Sequence, residues 1–338
     1  MWSHRAYYAS PALRVLLASL GAASFQRSIL WWVYLHRAHH RYIDTDRDPY
    51  NAKRGLLYSH FGWLFYRKEM DTNNGIDIAD LHNDPVVTWQ HRHFNFIGFL
   101  VGVLLPFLIV GLGWNDWPGA IVYAVIFRIY YILNATFTVN SLAHWAGDQP
   151  YSDAYTARNH FITAILTLGE GWHNFHHEFP SDYRNGVRWY DYDPTKWLIW
   201  ISEQTGFALG LKRFKDENIE LSRVQQQQKV LNRREAGLDI GPPLHTLPVV
   251  EWEDYEQQVK EGRRLISIAG VVHDVADFIA EHPGGEAYIK SGIGKDATAM
   301  FHGGVYHHHN AANNLLAGMR VAVIRGGGEV EAWKTHRR

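Results

Sequence analysis

Along the chain, long apolar runs alternate with polar, histidine-rich stretches. Residues 94–114 carry no charge and are filled by Leu, Val, Ile, Phe and Gly, about the length needed to cross a bilayer core. A second run, residues 120–139, follows a short Trp/Asn/Asp/Pro turn, and this spacing predicts a helical hairpin with its turn at one membrane face. The single charge of that run, Arg128, must face protein or snorkel to the surface. An earlier apolar stretch, residues 15–25, is short and flanked by Arg14 and Arg27, so it predicts an interfacial or packed helix. After Leu211 the composition shifts to Lys, Asp and Glu, with glutamines at 225–228 and then Gly241, Pro242 and Pro243, which marks a linker. From Leu247 to about Ile324, short apolar strands at 265–268 and 270–272 alternate with helical patterns, as in a small α+β module.

Composition narrows the chemistry. With 338 residues, 46% of them hydrophobic, the chain has room for two domains. Lys+Arg 33 against Asp+Glu 34 gives no pull toward nucleic acid. The absence of cysteine excludes disulfides, zinc ribbons, iron–sulfur clusters and thiol nucleophiles. Any metal must therefore be held by His, carboxylates or carbonyls, and the 21 histidines are roughly two to three times an ordinary share. The start, Met-Trp-Ser-His, has neither the basic region nor the apolar region of a signal peptide.

The histidines are patterned. His36, His39 and His40 form H-x-x-H-H, and the spacing recurs at His173, His176 and His177. Helical positions three and four apart share a face, so each box is expected to aim its imidazoles at one common point. Six such ligands exceed a closed zinc site and suggest a pair of metals; imidazole alone leaves iron, zinc, copper and nickel open. N-S-L-A-H, residues 140–144, ends the second apolar run and could add His144 as a ligand. His60, His82, His91, His93 and His160 stand singly and are expected to be satisfied locally, outside the site.

In the last third, His282 is followed by Pro283, Gly284 and Gly285, a turn whose glycines permit close backbone approach to a flat ligand.

These segments carry a specific resemblance. W-S-H-R-A-Y, H-R-A-H-H-R-Y-I-D-T-D-R-D-P-Y-N, S-H-F-G-W, N-S-L-A-H-W-A-G and G-E-G-W-H-N-F-H-H-E-F-P-S-D-Y-R-N-G resemble, in order, the signatures of acyl-CoA Δ9 desaturases of the fungal type. The resemblance runs from residue 1 to about residue 214. It implies two irons held by His4, His36, His39, His40, His144, His173, His176 and His177, with Asn140 contributing through water. It also implies that Arg67 and Lys68, after S-H-F-G-W, contact the CoA phosphates, which need cationic partners. The family's first box is H-x-x-x-x-H and only its second histidine is present, as His4. On this reading the chain is N-terminally truncated, lacks the family's first two membrane spans, and leaves one iron short of a ligand.

G-V-V-H-D-V-A-D-F-I-A-E-H-P-G-G, then G-K-D-A-T and G-G-V-Y-H-H, resembles a cytochrome b5 domain over its whole length. That implies haem b between His282 and His308, with His307, His309 and His302 as alternatives for the second ligand. Two imidazoles leave no open iron position, so such a haem carries electrons without binding oxygen.

The expected fold is mostly α: a membrane-embedded helical di-iron desaturase domain (1–214), a linker (215–246), a small α+β cytochrome b5-like domain (247–325) and a tail (326–338). The implied reaction takes fatty acyl-CoA, O2 and two electrons to the cis-9-enoyl-CoA and water. NADH is the ultimate donor through a separate cytochrome b5 reductase, consistent with the lack of a Rossmann or flavin motif. A fused haem domain raises the donor's effective concentration at the site. The implied location is the endoplasmic reticulum membrane, multi-pass, with both metal centres cytosolic. Rival readings are hydroxylation or desaturation at another position on the same scaffold, and an inactive truncated form acting only as a haem electron carrier.

Overall fold

The computed structural model describes residues 1–66, 75–303 and 307–327. The chain divides into two compact units, Met1–Lys229 and Val230–Arg338.

The first unit is helical. Helix α1 (Pro11–Ala22) begins at Ser10, whose hydroxyl accepts from the Leu13 N–H, with Pro11 in the first turn, a favoured helix start. Helix α2 (Ile29–Tyr42) is capped in the same way by Ser28 and buries Leu30 and Val33 on one side and Tyr34 and Leu35 on another. Leu30 and Val33 pack on Leu81 and Val87, which fixes the helix that carries the first H-x-x-H-H box.

Among the described residues, two helices are long and apolar enough to cross a membrane: α3 (Phe94–Trp114) and α4 (Trp117–Trp145). Asn115, in the left-handed region, ends the first, and Asp116 caps the second by accepting from the Gly119 N–H at 2.8 Å. The Trp117 ring lies where a Cβ on Gly111 would collide with it, so the tight hairpin needs glycine there. Helix α4 extends beyond the expected 120–139. In its polar second half Asn134, Thr136 and Thr138 return their side-chain donors to the carbonyls of Tyr130, Ile132 and Ala135, which satisfies them within the helix. Arg128 faces protein: its guanidinium donates to the carbonyls of Ala124, Ala23 and Gly102.

Further along are α5 (Phe161–Leu166), α6 (His173–Glu178) and α7 (Pro194–Gln204), then strand β2 (Ala208–Leu209), antiparallel to β1 (Tyr8–Ala9). Most of the expected linker is in fact a helix, α8 (Asp216–Glu235). Strong helix formers fill it, with Asp216 and Glu217 in its first turn and Arg233 and Arg234 in its last, matching the helix dipole.

The second unit holds a four-stranded sheet in the order β3-β6-β5-β4, formed by Val249–Val250, Arg320–Ile324, Val271–Asp274 and Leu265–Ile268. Strands β4 and β5 form a hairpin through Ala269 and Gly270, both at positive φ, the two-residue turn that suits strand twist. One face packs Leu265 and Val272 against Tyr255; the other packs Ile266 and Ile268 against Val275 and Ala297.

Candidate metal centres

The two H-x-x-H-H boxes do not each converge on a point, as the spacing led us to expect. At about 100° per residue, the second and third histidines of a box lie roughly 40° apart from the first in one direction or 60° in the other. The structure exploits that spread. His36 and His40 join His4 and His176 in one cluster; His173 and His177 join His39 and His144 in the other. Each box thus gives its i,i+4 pair to one cluster and its middle histidine to the other. Within each cluster one nitrogen from every imidazole lies within 4.8 Å of the rest. His4 and His36 approach Nε2 to Nε2 at 2.8 Å and His40 and His176 at 3.1 Å. In the other cluster His173 Nε2 meets His144 Nε2 at 3.1 Å and His177 Nε2 at 3.0 Å. The His40 and His177 rings stack at 4.2 Å, so the two clusters adjoin.

The loop after the first box orients the rings. His39 Nδ1 donates to Asp48 Oδ1 at 2.9 Å, both groups being buried. Asp48 also accepts from the N–H groups of Tyr50 and Asp44. Burial pushes the Asp48 carboxyl up, but His39 and these N–H groups outweigh it and hold the group below its ordinary value. His144 Nδ1 donates to Thr156 Oγ1 at 2.8 Å, and that hydroxyl donates to Asp44 Oδ1 at 2.6 Å. The relay fixes the tautomer in which Nε2 of His144 carries the lone pair. Burial first, and then neighbouring charges, depress the other histidines: His4 to about 2, His176 to about 4, and His36, His40, His173 and His177 well below normal. They are neutral at physiological pH, the form that ligates a metal.

A cavity of about 800 Å³ opens on both clusters. His36, His39, His173, His176 and Asn140 form part of its wall, and Trp31, Trp63, Leu133 and Phe137 supply apolar surface. Asn140 therefore shares the cavity with the histidines. His60 lies apart, bonded to Ser141 Oγ at 2.9 Å, and His91 and His160 bond to Ser28 and Thr163. Arg67 and Lys68 fall outside the described residues.

In the second unit, His282 Nδ1 donates to the Gly285 carbonyl at 3.0 Å and His308 Nδ1 to the Phe301 carbonyl at 2.8 Å. A carbonyl can only accept, so in both rings Nε2 carries the lone pair. A Cβ on Gly284 would sit 2.9 Å from the His282 ring, so glycine is required for that ring to stand where it does. The His308 ring stacks on Phe301 at 4.3 Å. His309 stands at the position before the helix Asn310–Gly318, and the His307 backbone bridges to His302.

Residues 1–203 match the fatty acid desaturase family and residues 251–325 the cytochrome b5-like heme/steroid binding domain. The chain is 53% identical over 335 residues to a probable acyl-CoA desaturase of Schizosaccharomyces pombe, covering 99% of this chain and 69% of that protein. It is 48% identical to acyl-CoA desaturase 1 of Saccharomyces cerevisiae, covering 96% of this chain and 64% of that protein. Against human stearoyl-CoA desaturase 5 it is 39% identical, covering 65% of this chain and 68% of that protein. The chain belongs to the fatty acid desaturase family. It spans about two thirds of the length of these relatives.

Desaturase membership implies iron, and the residues fit a metal. Nitrogens that share an ion at about 2.1 Å lie roughly 3.0 to 3.4 Å apart, close to the spacings within both clusters. His39 Nε2 and His173 Nδ1 are buried without a hydrogen-bond partner, a costly state for an imidazole nitrogen that ligation would relieve at His39. The cytochrome b5-like match indicates haem, and the paired Nδ1–carbonyl bonds of His282 and His308 suit axial ligation. Sequence reasoning gave no role to Asp44, Asp48 or Thr156. The D-T-D-R-D run directly after the first box was the available signal for the two aspartates. Nothing in the chain pointed to Thr156, which is set by a distant loop, or to the cavity, whose walls come from several helices.

Proposed function

We propose that the chain acts as an acyl-CoA Δ9 desaturase: saturated acyl-CoA, O2, two electrons and two protons give cis-9-enoyl-CoA and two waters. The observation that carries this reading is the pair of four-histidine clusters opening on one largely apolar cavity. One iron would be held by His4, His36, His40 and His176, the other by His39, His144, His173 and His177, with Asn140 acting through water. When bound, two irons supply the oxidising power that no side chain has for an unactivated methylene.

The protein's own groups do the rest. Trp31, Trp63, Leu133 and Phe137 give the acyl chain an apolar wall and exclude water, and Asp48 and Thr156 hold His39 and His144 in the ligating tautomer. Arg67 and Lys68 are proposed to receive the CoA phosphates. His282 and His308 would hold haem b, which when bound would supply one-electron transfer from an NADH-dependent cytochrome b5 reductase. The functional domains are assigned as 1–214 and 247–325. Helices α3 and α4 would cross the endoplasmic reticulum membrane, with both metal centres on the cytosolic side.

The test uses purified, chemically reduced protein given stearoyl-CoA and O2. Metal analysis should find two irons and one haem per chain, and gas chromatography should find oleate. Iron absent from a haem-loaded protein would favour the electron-carrier reading. A hydroxylated acid, or a double bond elsewhere, would overturn the regiochemical assignment.

A further inference from the structure

Helix α7 is inside out. Apart from Gln204 at its end, its exposed side chains are apolar, with Trp197 at 39%, Leu198 at 64%, Trp200 at 52% and Ile201 at 49% exposure. Its buried side carries Lys196, only 4% exposed, whose ammonium donates to the carbonyls of Gly186, Arg188 and Asp191. A helix bathed in water has the opposite pattern, and aromatic and aliphatic side chains this exposed call for a non-aqueous cover.

We infer that the outer face of α7 lies in the headgroup layer of a lipid bilayer, parallel to its plane. Three observations choose lipid. First, the helix has eleven residues and is about 16 Å long, too short to cross the hydrocarbon core. Second, two of its five exposed residues are Trp, the residue that favours the membrane–water boundary. Third, the helix is tied toward the long apolar helix α4. Thr195 Oγ1 donates to the Leu168 carbonyl at 3.0 Å, and Tyr131 of α4 reaches the Leu166 carbonyl at 3.4 Å. Between these ties α5 also turns apolar side chains outward, Phe161 at 58% and Ile162 at 59% exposure.

This inference rests on the membrane placement of α3 and α4, not on the reaction. Since the chain has no cysteine, a single nitroxide can be placed at Leu198→Cys, with Ile109→Cys in α3 and Leu221→Cys in α8 as references, in full chain reconstituted in phosphatidylcholine nanodiscs. Collisions with O2 and with a water-soluble nickel complex are then measured. The expected result is O2 contact exceeding nickel contact at Leu198, at a depth of about 5 to 10 Å below the phosphates and shallower than Ile109. A label at Leu198 as open to nickel as the one at Leu221, or closed to both reagents and immobile, overturns the inference. A label at Ile109 open to nickel would instead overturn the membrane placement itself.

Discussion

The two candidate metal-binding regions solve the same problem, aiming imidazoles, by different means. In the first unit the eight histidines come from four separate segments, are packed against one another, and are oriented by side chains: Asp48 for His39, and Thr156 with Asp44 for His144. In the second unit, His282 and His308 are oriented by main-chain carbonyls three and seven residues away. The first arrangement depends on the whole fold; the second depends on two local turns. Side-chain orienters can be deleted by a point mutation, whereas a carbonyl cannot.

His173→Ala removes the ligand that faces two partners at 3.0 and 3.1 Å, and should break the contrast most sharply. Metal analysis should show iron lost from its cluster, and product should fall more than a hundredfold, beyond the 10–100-fold typical of losing an orienting group. The b-type spectrum should stay unchanged. Conversely, His308→Ala should abolish the haem spectrum and leave two irons in place, while His309→Ala should keep the haem. Loss of haem in His309→Ala alone would move the axial assignment by one residue.

Asp48→Asn is isosteric and tests orientation by itself. Iron affinity should fall about 10 to 100-fold, read as faster loss of iron to a chelator, with haem retention unaffected.

The smallest effect is expected at Glu170, which lines the cavity. Burial, followed by the charge of Asp193, raises its carboxyl from 4.5 to about 7 against the hydrogen bond from Asn185. The folded state therefore prefers the neutral acid, and the stability this group contributes below pH 4.5 is lost as pH rises through 7. Glu170→Gln removes that loss. Its melting temperature relative to wild type should be about 2 to 5 °C higher at pH 8 than at pH 5. An equal difference at both pH values would refute the shift.

Much of this was readable in the chain, and the reasons are physical. The hairpin of α3 and α4 follows from two long apolar runs separated by a short polar turn. The partition of the histidine boxes was not readable, because helical periodicity says which residues share a face and not how wide a face one metal site occupies. Thr156 was hidden because its partners are twelve residues away at His144 and over a hundred away at Asp44. The far end of α4 was missed because Asn140 and Ser141 look like helix-ending polar residues until the bond of Ser141 Oγ to the Phe137 carbonyl of the same helix is seen.

On the proposed membrane placement of α3 and α4, Arg128 has a consequence for how the protein is made. Its guanidinium is held by carbonyls of α3 and of the end of α1 as well as by its own helix. Until those partners are beside it, α4 carries a bare charge that hydrocarbon disfavours by about 2.5 to 3.5 kcal/mol. During synthesis α1 and α3 emerge first, so α4 should leave the insertion machinery only together with α3. Biogenesis of the hairpin is thereby made cooperative: the second helix enters the bilayer on the strength of contacts that the first has already brought.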